Sequence, residues 1–249
     1  MARREELSTS FGAAAGTYEV GRPEYPAVAV DWMLHPVARE GRALRVADVG
    51  AGTGKLSRVA VEAGAEVVAI DPDTEMLAVL RENVYGVPTF VGTAERMPLP
   101  RASLDAVLLG QAWHWVDPVA ASEEIGRVLR SGGVAGLVWN IRDDGVPWVR
   151  RLTDIMHGSR AEEMLAAGDP EVHAPLGALE QASWRWTRRM TRAALLAMAR
   201  SRSAVITADA RERDRIEQGL AALLDEIGAV GDAEIGLPYV TRAFRAVRA

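Results

Sequence analysis

The sequence predicts an α/β protein with a doubly wound, mostly parallel sheet, and two observations lead to that class. Segments with the 3.6-residue periodicity of helices alternate with short apolar runs, which is typical of β-α-β units. Such units join parallel strands by right-handed crossovers and cover the sheet with helices. The apolar runs that we interpret as strands lie at residues 44–49, 66–71, 87–91, 104–109 and 134–139.

Cap and stop residues support the helices between these strands. An amphipathic helix at residues 27–38 precedes the first strand. The helix after the first strand ends at Gly64, and Asp73 supplies a cap for the helix after the second. Asp117 followed by Pro118 is a typical helix start, because it provides a cap and a first-turn residue together. The helices therefore fall where a doubly wound sheet needs its crossovers.

The pattern changes after residue 140. Helical pieces broken by glycine and proline follow, and they predict either a surface excursion or a cap over a binding site. Two further strands are indicated at residues 184–190 and 237–247, with a long helix at residues 207–228 between them. Arginines alternate with tryptophans at the first of these strands, and strand alternation explains that pattern without nucleic acid.

Composition limits the function. The chain has 249 residues, of which 49% are apolar and 25% charged, and this fits one large α/β domain with an inserted helical subregion. It has no cysteine, which excludes disulfides and thiol catalysis, and its four histidines lack metal-ligand spacing, so we expect no metal site. The net charge of −5 argues against nucleic acid as a partner. With no apolar run of about 18 residues and no signal sequence, we predict a cytoplasmic enzyme that does not enter the membrane.

The most informative segment is residues 46–54, VADVGAGTG, in which a strand runs into a glycine-rich turn and then a helix. Bare backbone N–H groups and a helix N-terminus at the carboxyl edge of a sheet suit an anionic or polar cofactor. The spacing argues against two common cofactor motifs. A dinucleotide motif counted from Gly50 needs a glycine where this chain has Lys55, and a phosphate loop needs one where it has Val49.

A second signal is Asp71, at the end of the next predicted strand. It lies 21 positions after Gly50, the distance at which an acidic side chain reaches a ribose diol (71 − 50 = 21). The alternative is that Asp71 only begins the next helix. Asp73 already supplies that cap, so Asp71 is free for the ribose.

The D-x-G-x-G-x-G pattern of residues 48–54 resembles the first motif of class I S-adenosylmethionine (AdoMet) methyltransferases. The G-T-A-E of residues 92–95 and the Q-A-W-H-W-V-D of residues 111–117 resemble segments of one branch, which includes ubiquinone/menaquinone-biosynthesis-type and trans-aconitate-type methyltransferases. The resemblance implies a Rossmann-like, seven-stranded sheet, mostly parallel with an antiparallel last strand, and a helical cap insertion. It also implies AdoMet as the cofactor and S-adenosylhomocysteine as its product.

The same resemblance implies the cofactor contacts. Asp71 would bind the ribose, and Thr93, which replaces the usual aspartate, would bond the adenine. Pro72 and Met76 would flank the adenine ring, although Met76 fits the core of its helix equally well. An amino-terminal Tyr/Arg-Pro-x-Tyr-Pro arm would close over the ligands, unless its arginine is merely solvated. The candidate cofactor-binding residues are Tyr18, Arg22, Gly50, Ala51, Gly52, Thr53, Gly54, Asp71, Pro72, Met76, Thr93, Ala94, Glu95 and Gln111.

His114 is the candidate catalytic residue, because it follows a central strand beside the expected position of the methyl group. It could remove a proton from the acceptor or only orient it. The D/N-P-P-Y/F segment common in amino-methyltransferases of nucleic acids and proteins is missing here, which disfavours those acceptors. Of the two neighbouring tryptophans, we expect one in the pocket and one in the core. The candidate substrate-binding residues are Tyr25, Trp113, Trp115, Asn140 and Arg142.

We therefore predict an AdoMet-dependent methyltransferase that transfers a methyl group to a small-molecule acceptor by in-line displacement, which needs alignment and exclusion of water rather than a catalytic triad. Two alternatives remain: an AdoMet-binding protein that does not methylate, and a nicotinamide-dependent oxidoreductase, which the glycine spacing disfavours. The acceptor and the oligomeric state do not follow from the sequence. We expect one domain, residues 1–249, with four parts. These are a lid with helices (residues 1–43), an AdoMet-binding core (44–140), a cap on the substrate side (141–205), and a terminal helix and strand (206–249).

Overall fold

The computed structural model of the chain describes residues 23–200, 202, 205 and 208–249. Seven strands of that part form one sheet: β1 (Arg45–Val49), β2 (Glu66–Asp71), β3 (Thr89–Val91), β4 (Leu104–Gly110), β5 (Leu129–Arg142), β6 (Glu180–Thr191) and β7 (Glu234–Val247). The helices are α1 (Ala27–Leu34), α2 (Lys55–Glu62), α3 (Thr74–Asn83), α4 (Pro118–Val128), α5 (Pro147–Met156), α6 (Arg160–Ala167), α7 (Arg192–Arg200) and α8 (Ala210–Glu226). Short 3-10 turns lie at His35–Val37 and Trp113–Trp115.

The strand order is β3–β2–β1–β4–β5–β7–β6. Strands β1 to β5 pair in parallel, whereas β7 runs antiparallel to both β5 and β6. The predicted α/β class with a seven-stranded sheet and an antiparallel last strand is confirmed. From β1 the chain proceeds to β2 on one side, and β4 lies on the other side. The connections after β1 and β4 therefore diverge and leave a crevice at the carboxyl edge of the sheet.

Side chains of β4 show how helices cover the two faces of the sheet. Val107 and Leu109 belong to one apolar cluster, which includes residues of α4, and Ala106 and Leu108 belong to a second, which includes residues of α1, α2 and α3. All four side chains are fully buried, as expected for a central strand covered on both sides. The sheet is therefore a rigid platform for the loops at its carboxyl edge.

The chain after β5 builds an apolar core of its own. Leu152 of α5, Leu195 of α7 and Leu220 of α8 are buried together with Tyr239 of β7. Tyr239 pairs with Arg142, the last residue of β5, so this third core lies beyond the carboxyl end of β5. These helices consequently stand on the same edge of the sheet as the crevice.

Some element boundaries differ from the sequence prediction. Strand β5 is longer than the predicted residues 134–139, because it pairs with β4 on one side and over nine residues with β7 on the other. The first predicted helix, residues 27–38, ends at Leu34 and continues as a 3-10 turn, because Pro36 lacks the N–H that an α-helix needs. Within the described segments, no helix is long and apolar enough to cross a membrane.

Candidate functional site

The glycine-rich turn connects β1 to α2 and needs its glycines for two reasons. Gly50, Gly52 and Gly54 all adopt positive φ, at 69°, 54° and 91°. A Cβ on Gly50 would lie 2.6 Å from the Cβ of Ala112, and one on Gly54 would lie 2.8 Å from Leu80 Cγ. A Cβ on Gly52 would meet no atom within 4 Å. The turn is thus packed tightly at both ends and open in the middle.

The Asp71 carboxylate ends β2 directly against this turn. Its Oδ2 accepts a hydrogen bond from Gly52 N at 2.9 Å, and its Oδ1 accepts one from Asp73 N at 2.8 Å. Burial raises the pKa of Asp71, although these two backbone N–H groups lower it. Asp73 caps α3 as predicted, by accepting from the N–H groups of Glu75 and Met76. Asp71 therefore holds the glycine turn in place. The sequence indicated that Asp71 is free for a ligand, whereas in the structure each of its oxygens already accepts a backbone hydrogen bond.

A second buried carboxylate, Asp48, was missed as a site residue although it begins the D-x-G-x-G-x-G motif. It is 1% exposed, and its Oδ2 accepts a 2.6 Å hydrogen bond from Ser57 Oγ. Its Oδ1 has no hydrogen-bond partner within the described part of the chain. Burial, with a smaller effect from the charge of Asp71, raises the pKa of Asp48 to about 7. The signal that could have found Asp48 is its place at the end of the strand that leads into the turn.

The glycine turn and Asp48 line a cavity at the carboxyl edge of the sheet. The cavity is bounded by the glycine turn, by the end of β4 and by the extended segment before α1. Its lining residues are Pro23, Tyr25, Asp48, Gly50, Ala51, Gly52, Thr53, Lys55, Leu56, Gly110 and Gln111. Six of the predicted site residues are among them: Tyr25, Gly50, Ala51, Gly52, Thr53 and Gln111. The Thr53 hydroxyl is buried and, like Asp48 Oδ1, has no hydrogen-bond partner in the described segments.

The segment before α1 is held over this cavity at three points. Glu24 accepts hydrogen bonds from Lys55 Nζ at 2.9 Å and from Arg58 Nη1 at 3.2 Å. The Glu24 backbone carbonyl accepts a hydrogen bond from Asn140 Nδ2 at 3.1 Å. Tyr25 lies against Gly110 so closely that a Cβ there would be 2.6 Å from its hydroxyl. Tyr18 and Arg22, predicted to belong to the same arm, lie outside the described residues.

The predicted adenine-side residues occupy the turn after β3 and the start of α3. Gly92 N donates to the Asp71 backbone carbonyl at 3.3 Å, which brings this turn beside the acidic side chain. The Thr93 side chain is exposed, whereas Met76 and Ala94 are 4% and 3% exposed. The Glu95 carboxylate accepts a hydrogen bond from Asp117 N at 2.9 Å. Glu95 therefore joins this turn to Asp117, the residue that caps the N-terminus of α4.

The segment after β4 carries the candidate catalytic residue. Gln111 has a positive φ of 56°, and its Nε2 donates to the Asn140 backbone carbonyl at 2.8 Å. Trp113 is buried and donates its indole N–H to the Glu171 backbone carbonyl, whereas the ring of half-buried Trp115 lies 5.0 Å from that of His114. His114 follows Gln111 by three residues, and its Nδ1 lies 3.4 Å from the indole Nε1 of Trp139 on β5.

The two candidates at the end of β5 are both buried. Asn140 is bonded on both sides of its amide, because Thr241 Oγ1 donates to its Oδ1 at 2.6 Å while its Nδ2 binds Glu24. Arg142 pairs with Glu162 of α6 at 2.8 Å and donates to Thr153 Oγ1 of α5 at 3.0 Å. Asn140 thus contacts the segment over the cavity, whereas Arg142 ties α5 and α6 to the sheet.

Comparison with known proteins gives the family. Residues 47–137 match the model of a methyltransferase domain. An uncharacterized methyltransferase of Mycobacterium tuberculosis (strain ATCC 25618 / H37Rv) is 44% identical over 252 residues, covering 99% of this chain and 98% of that protein. An uncharacterized methyltransferase-like protein of Schizosaccharomyces pombe (strain 972 / ATCC 24843) is 32% identical, covering 98% of this chain and 97% of that protein.

Solved structures agree with this result at the level of the fold. The structure of a candidate type II methyltransferase from Anaeromyxobacter dehalogenans superposes with a TM-score of 0.66 at 25% identity, covering 91% of this chain and 97% of that one. A phosphoethanolamine N-methyltransferase of Haemonchus contortus superposes with a TM-score of 0.54 at 17% identity, covering 98% of this chain and 59% of that one. The second likeness, at this identity, concerns the fold alone.

Proposed function

The chain belongs to the class I AdoMet-dependent methyltransferases, and we propose that it transfers a methyl group to a small-molecule acceptor at the carboxyl edge of the sheet. The observation that carries this proposal is the pair of buried carboxylates, Asp48 and Asp71, that face one glycine turn. We further propose that the protein belongs to the branch with ubiquinone/menaquinone-biosynthesis-type and trans-aconitate-type methyltransferases, because two of its segments resemble segments of that branch. We also propose that it acts in the cytoplasm.

Asp48 fits the charged end of AdoMet. A buried carboxylate oxygen without a hydrogen-bond partner is costly, because ionising it inside the protein forfeits its hydration. A cation beside that oxygen would offset the cost, and the methionine part of AdoMet carries an ammonium group. We therefore assign the ammonium to Asp48 Oδ1, with the buried Thr53 hydroxyl as a second polar contact on the same turn.

Asp71 fits the ribose. Each of its oxygens already accepts one backbone hydrogen bond, from Gly52 or Asp73. A carboxylate oxygen has two acceptor positions, so each oxygen retains one for a ribose hydroxyl. By the resemblance, Pro72, Met76 and the turn at Thr93 would hold the adenine. Glu95 supports that turn from outside by holding the N-terminus of α4.

The remaining residues align and enclose the reactants. AdoMet supplies a methyl group that is already activated on a sulfonium, so the chain needs to bind, orient and exclude water. Gln111 fixes the loop after β4 to Asn140, and Asn140 fixes the segment that carries Tyr25. His114 and Trp115 follow on the same loop and are placed to meet the acceptor. By the resemblance, Arg22 or Tyr18 would contact the methionine carboxylate.

Binding and transfer can be tested in one series. The purified chain should bind S-adenosylhomocysteine and not NAD in calorimetric titrations, and Asp48→Asn should weaken that binding while Asp31→Asn, on the exposed side of α1, should not. Incubation with methyl-labelled AdoMet and a metabolite extract should yield a labelled small molecule. Tight binding of NAD would overturn the cofactor assignment. Binding of S-adenosylhomocysteine with no labelled product from any extract would favour a role without methylation.

A further inference from the structure

A line of hydrogen bonds crosses the last three strands of the sheet and ends on the segment before α1. Trp186 of β6 donates its indole N–H to Thr241 Oγ1 of β7 at 2.9 Å. The Thr241 hydroxyl donates to Asn140 Oδ1 of β5 at 2.6 Å, and Asn140 Nδ2 donates to the Glu24 backbone carbonyl at 3.1 Å. We call the side chains of Trp186, Thr241 and Asn140 the hydrogen-bond relay.

The two ends of the relay fix the direction of its bonds. An indole nitrogen can only donate, so Thr241 Oγ1 accepts from Trp186 and keeps its own proton for Asn140. A backbone carbonyl can only accept, so the nitrogen of the Asn140 amide must face Glu24. If the amide were turned over, its oxygen would face the carbonyl oxygen and the bond to Glu24 would be lost. The bond to Glu24 therefore depends on the orientation of one side chain.

The relay begins in the third core, outside the cavity at the glycine turn. The half-buried Trp186 packs there and stacks on Tyr239, with ring centroids 5.0 Å apart. Thr241 is fully buried and Asn140 is 7% exposed. Neither Trp186 nor Thr241 is among the residues that line the cavity. Because water does not compete inside the protein, removing one member leaves its buried neighbour without a partner.

Glu24 attaches the segment before α1 to two elements of the fold. Its side chain forms ion pairs with α2, and its backbone carbonyl binds Asn140. No substitution of Glu24 removes that carbonyl, so the second attachment depends on Asn140 and on the partners of Asn140. Pro23 and Tyr25, on either side of Glu24, line the cavity. The relay thus holds one wall of the cavity against the sheet.

We propose that Trp186 and Thr241 are positioning residues for cofactor binding, which act through Asn140 to hold the segment before α1 over the cavity. The inference rests on the proposed function, which places AdoMet in that cavity. It makes the affinity for the cofactor depend on two side chains that do not line the site. It also joins the third core to the cofactor site, because Trp186 packs in that core.

The relay itself can be observed without any ligand. The chain has two asparagines, Asn83 and Asn140, so protein labelled with 15N-asparagine gives two side-chain amide groups in 1H–15N spectra. Asn83 donates to the Thr53 backbone carbonyl and is the internal reference. Trp186→Phe keeps a ring but removes the donor, so it should shift the Asn140 signals and leave those of Asn83 in place. Trp148→Phe, in the same third core, should shift neither.

Unchanged Asn140 signals in Trp186→Phe would overturn the proposal, since Trp186 would then not set the amide. Thr241→Val gives a second test, because it keeps the shape of the side chain and removes the hydroxyl that joins the two neighbours. It should also shift the Asn140 signals, whereas Thr241→Ser, which keeps the hydroxyl, should restore them. A serine variant with the spectrum of the valine variant would show that packing and not the hydroxyl holds Asn140.

Calorimetric titration with S-adenosylhomocysteine tests whether the relay serves the cofactor. Thr241→Val should weaken binding by about three- to tenfold, the range expected for one lost hydrogen bond. Asn140→Ala should weaken it at least as much. Because Thr241 acts through Asn140, adding Thr241→Val to Asn140→Ala should change the affinity by less than about twofold. Two losses that multiply in the double variant would overturn this route, because a general loss of stability does not depend on Asn140.

The same titrations separate the inference from the proposed function on which it rests. Trp186→Phe removes a single bond of the relay and should weaken S-adenosylhomocysteine by about two- to fivefold, whereas Trp148→Phe should bind as the wild type does. Wild-type protein that does not bind S-adenosylhomocysteine would overturn the proposed function and this inference together. Wild-type binding that neither Thr241→Val nor Trp186→Phe weakens would overturn the inference alone.

Discussion

Asp71 illustrates how one side chain at the end of a strand can serve both the fold and the ligand. Its two oxygens fasten the glycine turn through Gly52 and the start of α3 through Asp73. Replacing it by asparagine turns one acceptor into a donor that faces a backbone N–H, so the turn and the ribose contact are both impaired. We expect Asp71→Asn to weaken S-adenosylhomocysteine by about 10- to 100-fold in calorimetric titrations. If Asp71→Asn binds S-adenosylhomocysteine as tightly as Asp31→Asn does, Asp71 does not contact the cofactor.

At the residue scale, the sequence predicted the site residues that belong to a motif with a fixed spacing. It missed the side chains whose role depends on their burial and on their partners in the folded protein. Asp71 and the three glycines of the turn follow from their spacing along the chain. The unpartnered oxygen of Asp48 and the contact between Trp139 and His114 do not, because they depend on which atoms meet across strands. Spacing along one strand and loop is local information, whereas hydrogen-bond partners across the sheet are not.

At the element scale, the extended segment before α1 is the most testable feature of the site. Its half-exposed Glu24 forms ion pairs with the largely buried Lys55 and with Arg58 of α2, and ion pairs whose carboxylate is in contact with water contribute about 0–1 kcal/mol. Glu24→Gln should therefore leave the melting temperature nearly unchanged but weaken S-adenosylhomocysteine by about two- to fivefold, because the segment lines the cavity. The surface pair of Arg45 and Glu66 offers the matched control, Glu66→Gln. Equal affinities in the two variants would show that the ion pairs do not hold the segment for binding.

Helix α4 gives a prediction about packing alone. A Cβ on Gly126 would lie 2.2 Å from Cγ of Pro175, so any side chain there must displace the segment that leads to β6. Overpacking of this kind costs about 1–3 kcal/mol, and we expect Gly126→Ala to lower the free energy of unfolding by that amount in denaturant titrations. Glu123→Ala, on the exposed side of the same helix, is the control. A Gly126→Ala protein as stable as this control would mean that the segment around Pro175 moves aside at no cost in stability.

The elements also show where sequence patterns lose information. Strands β1, β2 and β4 are covered by helices on both faces and appear as short apolar runs, which made them easy to predict. Strands β5 and β7 extend further than predicted, because pairing with a neighbouring strand and not local composition fixes their ends. Residues 140–142 of β5 pair with β7, and residues 234–236 of β7 pair with β6. The predicted helix at residues 207–228 is shorter, at Ala210–Glu226, where Asp209 caps it by accepting from Glu212 N.

At the scale of the whole molecule, Asp48 makes stability depend on pH. Its pKa is raised to about 7 in the folded protein, whereas an exposed aspartate in the unfolded chain titrates near its ordinary value. Between roughly pH 4 and pH 7 the folded state therefore binds one more proton than the unfolded state, so Asp48 makes stability fall as the pH rises through that window. Above the folded pKa the loss is complete and constant. The total loss of stability is at most about 4 kcal/mol, which corresponds to a pKa shift of roughly three units.

Binding should reverse part of this loss, since a cation beside Asp48 favours the ionised carboxylate. In wild-type protein, the rise in melting temperature caused by S-adenosylhomocysteine should grow from about pH 5.5 to about pH 7.5, because ionisation of Asp48 then limits binding progressively less. Asp48→Asn retains an oxygen for the Ser57 hydroxyl but cannot ionise. That variant should melt higher than the wild type without ligand near pH 8, and its ligand-induced shift should be smaller and independent of pH in this window. Asp31→Asn, the control, should show the same pH dependence as the wild type. If Asp48→Asn also shows that dependence, Asp48 neither causes it nor binds the ammonium of the cofactor.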